Sequence, residues 1–330
     1  MRLDINYEKV CLATQSQPRF QIISMDFTEV KISFPWGHVA GKWWGPADVR
    51  PILLIHGWLD NAGSFDTLIP LLPKDHVSYL AIDLPGHGLS SHIPEGMVYK
   101  CIDYVQLIHR IQKIYEWDKV SLICHSLGGE IGFLYSGIFP DCVDMLVAFD
   151  VLKPMTSPDL INFMLEASIQ RLTSETTRHL FPESQATYER EEIIKKMQAS
   201  TFGSLTPDDC EHILVRGVRR SSVHPDRYYF LADNRLKLYH PISFTTENAH
   251  QVARHIKSPV LLIGVEPKSE KIFASMRDDD NDVEMMIKEN PKIVLKVVPG
   301  KHHVHLSHPE RVSEMVSEFI MTHRASKCKM

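Results

Sequence analysis

Nearly continuous apolar runs recur along the chain and are separated by segments with helical periodicity. The runs cover residues 52–55, 79–82, 120–123, 145–149, 260–263 and 293–298. Parallel strands that are covered by helices on both faces have such continuous apolar sequences, because neither face is in contact with water. Between several runs the apolar residues share one helical face, as they do over 104–114 and over 312–320, where Pro309 suits the first turn. The alternation predicts an α/β fold with a mostly parallel, doubly wound sheet, whose ligand site lies beyond the carboxyl ends of the strands.

The chain before residue 45 has a different pattern. Short runs rich in β-branched and aromatic residues cover 20–25, 28–34 and 37–44, and the third run follows a Pro-Trp-Gly turn. These runs predict an antiparallel edge of the sheet at its amino-terminal side.

A long segment from 155 to 244 also interrupts the alternation of apolar runs and helical segments. It has no convincing buried strand and is rich in charged residues and helix formers, with an exposed-looking helix over 189–197. Such an insertion between core strands predicts a helical cap over the carboxyl edge of the sheet; a separate binding domain is the alternative. The predicted core therefore has two parts, 18–154 and 245–325, on either side of the cap.

A candidate nucleophile stands where the third core strand ends. The apolar run 120–125 stops at Ser126, and the chain resumes with a leucine and two glycines. In the nucleophile-elbow pattern G-x-S-x-G, small residues on both sides let strand and helix approach while the serine takes a strained backbone conformation. Gly128 fits this pattern, but Cys124 replaces the first glycine and adds a side chain at the turn. A glycine-rich turn with an ordinary serine is the alternative interpretation.

Composition and charge narrow the classes of partner. The chain has 330 residues, of which 44% are hydrophobic, so it can bury a large core. Its formal net charge is -5, and it has no cluster of lysine and arginine, so no nucleic-acid partner is expected. No segment reaches the roughly 18 apolar residues of a membrane span, and the amino terminus lacks the apolar core of a secretory signal. We expect no integral membrane segment.

The cysteines and the carboxyl terminus bear on the compartment. The six cysteines lie far apart without a C-x-x-C pair, so neither a disulfide framework nor a zinc ribbon is indicated, and an intracellular location is expected. The last three residues, Cys328, Lys329 and Met330, have the small, basic and large aliphatic order of the peroxisomal S-K-L signal. The sequence therefore leaves two locations for the protein, the peroxisome and the cytoplasm.

The loop after the first core strand carries candidate oxyanion donors. Gly57 lets the backbone turn and present its amides toward the elbow. Acyl transfer needs two N–H groups on the developing oxyanion, and the amides of Trp58 and of Leu127, the residue after the nucleophile, are the natural pair. His56 is interpreted as a structural histidine rather than as a base.

Four histidines follow the last core strand, between residues 302 and 308. A serine nucleophile needs one imidazole to accept its proton, and His302, the first after the glycine turn, is the predicted base. A metal interpretation takes His302 and His305 as ligands, but it lacks the glutamate of an H-E-x-x-H motif and any companion cysteine or carboxylate. We therefore expect neither a metal nor another cofactor.

Two carboxylates are candidates for orienting that imidazole. Asp150 ends the strand after the elbow, and Glu266 follows the strand before the histidine loop. Both satisfy the chain order of serine, then acid, then histidine. Asp150 is preferred, because a strand end at the site edge is an unusual place for a solvated charge, whereas Glu266 lies among charged residues.

Taken together, these motifs resemble the α/β-hydrolase fold. They are H-G-W at 56–58, D-L-P-G-H-G at 83–88, H-S-L-G-G at 125–129 and P-G-K-H-H-V-H-L-S at 299–307. Together with the stretch over 231–244, the sequences of these motifs are similar to those of the serine hydrolase-like proteins of animals, the kraken-like branch. The resemblance implies a serine hydrolase, and some members are linked to peroxisomes. It is also similar to the dehalogenase and epoxide-hydrolase branch, where the triad acid of some members follows the strand after the elbow; this favours Asp150, but an aspartate nucleophile would be needed in place of Ser126.

The predicted function is hydrolysis of an ester, thioester or related acyl bond of a small molecule. Ser126, deprotonated by His302 with Asp150 holding the ring, attacks the acyl group; the amides of Trp58 and Leu127 stabilise the oxyanion, and water releases the acid. The alternative is a catalytically silent ligand-binding protein on a hydrolase fold, because fold alone does not establish activity.

Overall fold

The structure is a computed structural model that describes residues 7–8, 26–156, 161–162, 164–170, 186–238, 244–266 and 280–324. The strand predicted over 20–25 and the carboxyl-terminal tripeptide 328–330 lie outside these ranges. Within them, no helix has the length and apolar character needed to cross a membrane.

A nine-stranded sheet forms the centre of the described structure. In chain order the described strands are β1 (Tyr7–Glu8), β2 (Thr28–Phe34), β3 (Gly37–Trp44), β4 (Pro51–Ile55), β5 (Ser78–Ile82), β6 (Val120–His125), β7 (Val143–Phe149), β8 (Val218–Arg220), β9 (Tyr228–Phe230), β10 (Val260–Glu266) and β11 (Ile293–Pro299). β8 and β9 pair with each other, and the other nine strands form this sheet. The sheet order is β1-β2-β3-β5-β4-β6-β7-β10-β11. β3 pairs antiparallel with β2 and β5, and all neighbours from β5 to β11 are parallel. The predicted parallel sheet with an antiparallel amino-terminal edge is confirmed.

Helices cover both faces of this sheet and also occur in the segment between β7 and β10. They are α1 (Cys101–Ile114), α2 (Leu127–Ile138), α3 (Arg190–Ser200), α4 (Pro207–Gly217), α5 (Thr246–His255), α6 (Asp280–Glu289), α7 (Val304–Ser307) and α8 (Ser313–His323). The sequence pattern predicts that Pro309 lies in the first turn of the last helix, but in the structure it does not. It opens a separate single turn over Pro309–Arg311, and Val312, with φ of -121°, interrupts the chain before α8.

Alternation along β4 divides the apolar core into two layers. Leu53 and Ile55 point into the layer that contains residues of α1 and α2, whereas Ile52 and Leu54 point into the layer that contains residues of α8. Successive strand residues face opposite sides of a sheet, so a strand with both faces covered must be apolar at every position. All five residues of β4 are buried for this reason.

The described part of the predicted cap contains helical residues over 161–162 and 164–170, the helices α3 and α4, and a small hairpin. α3 and α4 are followed by β8 and β9, which pair antiparallel. The hairpin was not predicted, because each strand has three residues and none of them is buried. α4 is tied to the core by the buried Arg216, whose guanidinium forms an ion pair with Asp83 at 2.8 Å. The Asp83 carboxylate also accepts from the amides of Ala62 and Leu89, both at 2.8 Å, so it holds the neighbouring loops as well as a cap helix.

Candidate active site

Ser126 lies in a sharp turn between β6 and α2. Its backbone has φ of 51° and ψ of -118°, which is a strained conformation for a residue other than glycine. Hydrogen bonds hold the turn in place: the Ser126 amide donates to the Phe149 carbonyl at 3.2 Å, and the Ser126 carbonyl accepts from the Gly129 amide at 2.7 Å. The serine has the backbone geometry of a nucleophile elbow at the carboxyl end of its strand.

Two glycines of α2 provide the space that this turn needs. A Cβ on Gly128 would lie 2.1 Å from the Ile55 carbonyl oxygen, so only glycine lets the helix approach β4. A Cβ on Gly132 would lie 2.9 Å from the Sγ atom of Cys124. The cysteine that replaces the first elbow glycine therefore fills the space above Gly132 and does not crowd the turn. Burial raises the pKa of the Cys124 thiol, so this group is neutral.

The structure brings His302 together with Asp150. The His302 Nδ1 atom lies 2.5 Å from the Asp150 Oδ2 atom, and both side chains are almost completely buried. Burial lowers the pKa of His302, and the hydrogen bond to Asp150 and its charge oppose that effect only in part. Glu266, the other candidate acid, is exposed at the end of β10, and among the described residues its carboxylate has no hydrogen-bond partner. Its backbone carbonyl accepts from the Gly300 amide at 2.9 Å.

The histidine loop, the elbow and the oxyanion loop meet at one place. His125, which directly precedes Ser126, donates from Nε2 to the His302 carbonyl at 3.1 Å, and the two imidazole rings are 4.7 Å apart. A Cβ on Gly57 would lie 3.1 Å from the Cβ of Ser126, so the oxyanion loop runs directly beside the nucleophile. Leu127 is the first residue of α2, and its amide has no acceptor within the helix.

The other two residues of the oxyanion loop are held through their side chains. The His56 Nε2 atom accepts from the Leu84 amide at 2.9 Å, and its Nδ1 atom lies 2.7 Å from the Gly57 carbonyl. His56 is thus a buried structural histidine, as interpreted from the sequence. The Trp58 indole donates to the Leu236 carbonyl at 3.0 Å, which links the loop to the segment after the hairpin.

Behind the elbow lies a buried cluster that the sequence reasoning missed. The Asp60 Oδ2 atom is 3.2 Å from the His125 Nδ1 atom and 3.3 Å from the His303 Nε2 atom. Burial raises the pKa of Asp60, but the charge of the neighbouring His303 lowers it further, so that it lies well below its usual value. Several histidines in one short loop were the available signal, because buried imidazoles need polar partners.

A cavity opens between the oxyanion loop and the cap. Its volume is about 300 Å³, and its lining includes Trp58, Asp60, Tyr188, Met197 and Phe230. Ligand pockets of enzymes are concave and mostly apolar with a few polar groups, and this lining has that character.

The family model described as "alpha/beta hydrolase fold" matches residues 50–309. The chain belongs to the α/β-hydrolase-fold family. It is 38% identical over 314 residues to a "Probable serine hydrolase" of Drosophila melanogaster, covering 93% of this chain and 92% of the relative. It is 33% identical over 315 residues to "Serine hydrolase-like protein 2" of Homo sapiens, covering 89% and 94%.

Solved structures agree with this assignment. A hypothetical protein from Pseudomonas aeruginosa is 27% identical and has a TM-score of 0.74, with 89% of this chain and 99% of that chain covered. The resemblance to serine hydrolase-like proteins is confirmed by these relatives. Fold and relatives together support a hydrolase.

Proposed function

We propose that this protein is a serine hydrolase that cleaves an ester, thioester or related acyl bond of a small molecule through a covalent acyl-enzyme. The observation that carries the proposal is the buried hydrogen bond between His302 Nδ1 and Asp150 Oδ2, at 2.5 Å, next to the strained Ser126 elbow. A serine on a strained turn, a buried imidazole and a carboxylate that orients its ring are the parts that acyl transfer requires.

The proton transfers follow from that hydrogen bond. His302 keeps its proton on Nδ1 and donates a hydrogen bond from there to the Asp150 carboxylate. The Nε2 lone pair is therefore available to accept the hydroxyl proton of Ser126. The Ser126 oxygen then attacks the acyl carbon, and the alcohol or thiol leaves with the proton that His302 carries. Water, deprotonated by the same nitrogen, releases the acid from Ser126. The lowered pKa of His302 keeps the imidazole neutral at neutral pH, as a base must be.

Two backbone amides stabilise the tetrahedral oxyanion in this proposal. Leu127, at the start of α2, offers an amide free of intrahelical bonding, and Trp58 lies on the loop that packs against the nucleophile at Gly57. Amides need no protonation change and are already oriented, so each donor contributes about 10²–10³ in rate in comparable enzymes.

The alternative function, a ligand-binding protein without turnover, was motivated by Cys124, whose side chain could crowd the elbow. The Cys124 thiol lies against Gly132 instead, and the backbone of Ser126 has the elbow conformation. A nucleophilic aspartate for epoxide or halide hydrolysis is likewise absent from this position, which is Ser126.

A fluorophosphonate probe tests the proposal directly. We expect the wild-type protein to be labelled covalently and Ser126→Ala to remain unlabelled, because the probe reacts with an activated serine oxygen. Ser33→Ala, which removes an exposed hydroxyl on β2, serves as the matched control and keeps full labelling. A folded wild-type protein that takes up no probe and turns over none of a panel of esters and thioesters would refute the proposal.

A further inference from the structure

We propose that Asp60, His125 and His303 form a binding site for one divalent transition-metal ion, with Zn²⁺ as the best-suited metal. The site lies behind the nucleophile elbow and is separate from the proposed triad. It requires no catalytic activity, so it stands independently of the proposed hydrolase function. One carboxylate oxygen and two imidazole nitrogens are ligands that Zn²⁺ accepts.

The spacing of the three donor atoms fits one ion. Asp60 Oδ2 is 3.2 Å from His125 Nδ1 and 3.3 Å from His303 Nε2, and all three atoms lie within 4.8 Å of one another. A tetrahedral zinc with bonds of about 2.0–2.1 Å has neighbouring donors roughly 3.3–3.4 Å apart. The two separations from Asp60 already match this value, and the third, between the two imidazole nitrogens, is at most 4.8 Å and shortens toward it when one ion binds all three atoms.

The hydrogen bonds of His125 point to a cation at this place. Its Nε2 atom donates to the carbonyl of His302 at 3.1 Å, so in a neutral imidazole the Nδ1 atom carries a lone pair. That Nδ1 atom is buried and has no hydrogen-bond partner among the described residues, although the Asp60 carboxylate is close by. A lone pair beside a carboxylate is repulsive unless a cation lies between them. Donation of the second ring N–H to a backbone carbonyl is also the usual arrangement of a metal-bound histidine.

The surroundings of the other two ligands suit the same role. His303 Nδ1 lies 2.7 Å from the hydroxyl oxygen of Ser204, so the ring can carry its proton on Nδ1, donate it to that oxygen and leave Nε2 for the metal. The hydroxyl of Ser64 donates to Asp60 Oδ2 at 3.3 Å and orients the carboxylate. Asp60 also lines the cavity beneath the cap, which provides a path for the ion and space for a water as fourth ligand.

Metal titration of the full chain tests this site without an activity assay. After chelator treatment and dialysis, we expect the wild-type protein to bind one equivalent of Zn²⁺ and to unfold at a higher temperature when Zn²⁺ is present. Asp60→Asn and His303→Gln should weaken binding by about 100-fold or more, and Ser204→Ala by about 10- to 100-fold. His92→Gln, a substitution of an exposed histidine outside the cluster, should bind as the wild type does.

The visible absorption spectrum of bound Co²⁺ tests the site in the wild-type protein alone, so it does not depend on whether the variants fold. Co²⁺ in the wild-type protein should give the intense visible absorption of a four-coordinate site, and added Zn²⁺ should remove it. Two results would overturn the proposal: no stoichiometric binding of either metal to the wild-type protein, or equal affinity in wild type and in folded Ser204→Ala and His303→Gln proteins. Either result would leave the cluster as a hydrogen-bonded network that fixes the histidine loop.

Discussion

Replacement of Asp150 by asparagine removes the negative charge from the proposed triad and nearly preserves the side-chain shape. In the wild-type structure the carboxylate accepts the His302 Nδ1 proton at 2.5 Å. An amide can instead turn its NH₂ group toward Nδ1, which favours the tautomer with the proton on Nε2. The Nε2 atom then cannot accept the proton of Ser126. Because both side chains are buried, water cannot restore the wild-type tautomer.

The expected loss is large. In serine proteases the same change in the triad aspartate lowers kcat about 10⁴-fold, which corresponds to about 5.5 kcal/mol at 1.36 kcal/mol per factor of ten. We expect Asp150→Asn to reduce kcat by a factor of this order, with KM changed much less, because the carboxylate acts on the chemical step.

The assay compares steady-state hydrolysis of an activated ester with the rate of fluorophosphonate labelling. Glu266→Gln is the matched control, since Glu266 was the other candidate acid and is exposed at the end of β10. It should stay within about twofold of the wild type. Thermal unfolding of both variants separates a loss of chemistry from a loss of fold. An Asp150→Asn protein that is folded and nearly as active as the wild type would refute the reasoning, above all if Glu266→Gln were inactive.

Two further substitutions test how the elbow and the cap are held. Cys124→Gly supplies the usual elbow glycine but empties the space above Gly132, so it should lower the free energy of unfolding by about 2 kcal/mol and leave kcat/KM unchanged; a gain in activity would contradict this. Asp83→Asn leaves the buried Arg216 with the partly exposed Glu29 as its remaining charged partner among the described residues and should cost about 3 kcal/mol at pH 7. Burial raises the pKa of Asp83, but Arg216 lowers it further, so the folded-state pKa lies below the unfolded one. This contribution is present above roughly pH 4 and is lost as the pH falls, so urea denaturation should show the two proteins converging in acid.

The parallel core could be predicted because burial on both faces leaves a direct trace in the sequence. β4 and β5 are apolar or small at every position, and all ten of their residues are buried. The hairpin of the cap leaves no such trace, since its six residues are half-buried or exposed and carry no alternation. Asp60 was missed for another reason: the partners that make it informative, His125 and His303, lie 65 and 243 positions further along the chain.

The acid position could not be decided from the sequence, because Asp150 and Glu266 both follow a core strand. In the structure the two carboxylates differ in their place relative to the elbow, because of the order of strands in the sheet. β7, which ends before Asp150, is hydrogen-bonded directly to β6 and therefore delivers its carboxylate beside the elbow, whereas β10, which ends with Glu266, lies one strand further out. His302 follows β11, the outermost strand, so its loop must reach back across the sheet edge, and its carbonyl is held there by His125.

The elbow shows the same dependence on distant positions. The sequence pattern places its requirement for small residues two positions before and two positions after Ser126, at 124 and 128. In the structure the side chain at 124 meets α2 one turn beyond that pattern, at Gly132, where a Cβ would come within 2.9 Å of the thiol. The physical requirement is that the strand and helix together leave room for one side chain at this crossing, and either residue can be the small one. A cysteine at 124 is therefore compatible with an intact elbow whenever the helix carries glycine at 132.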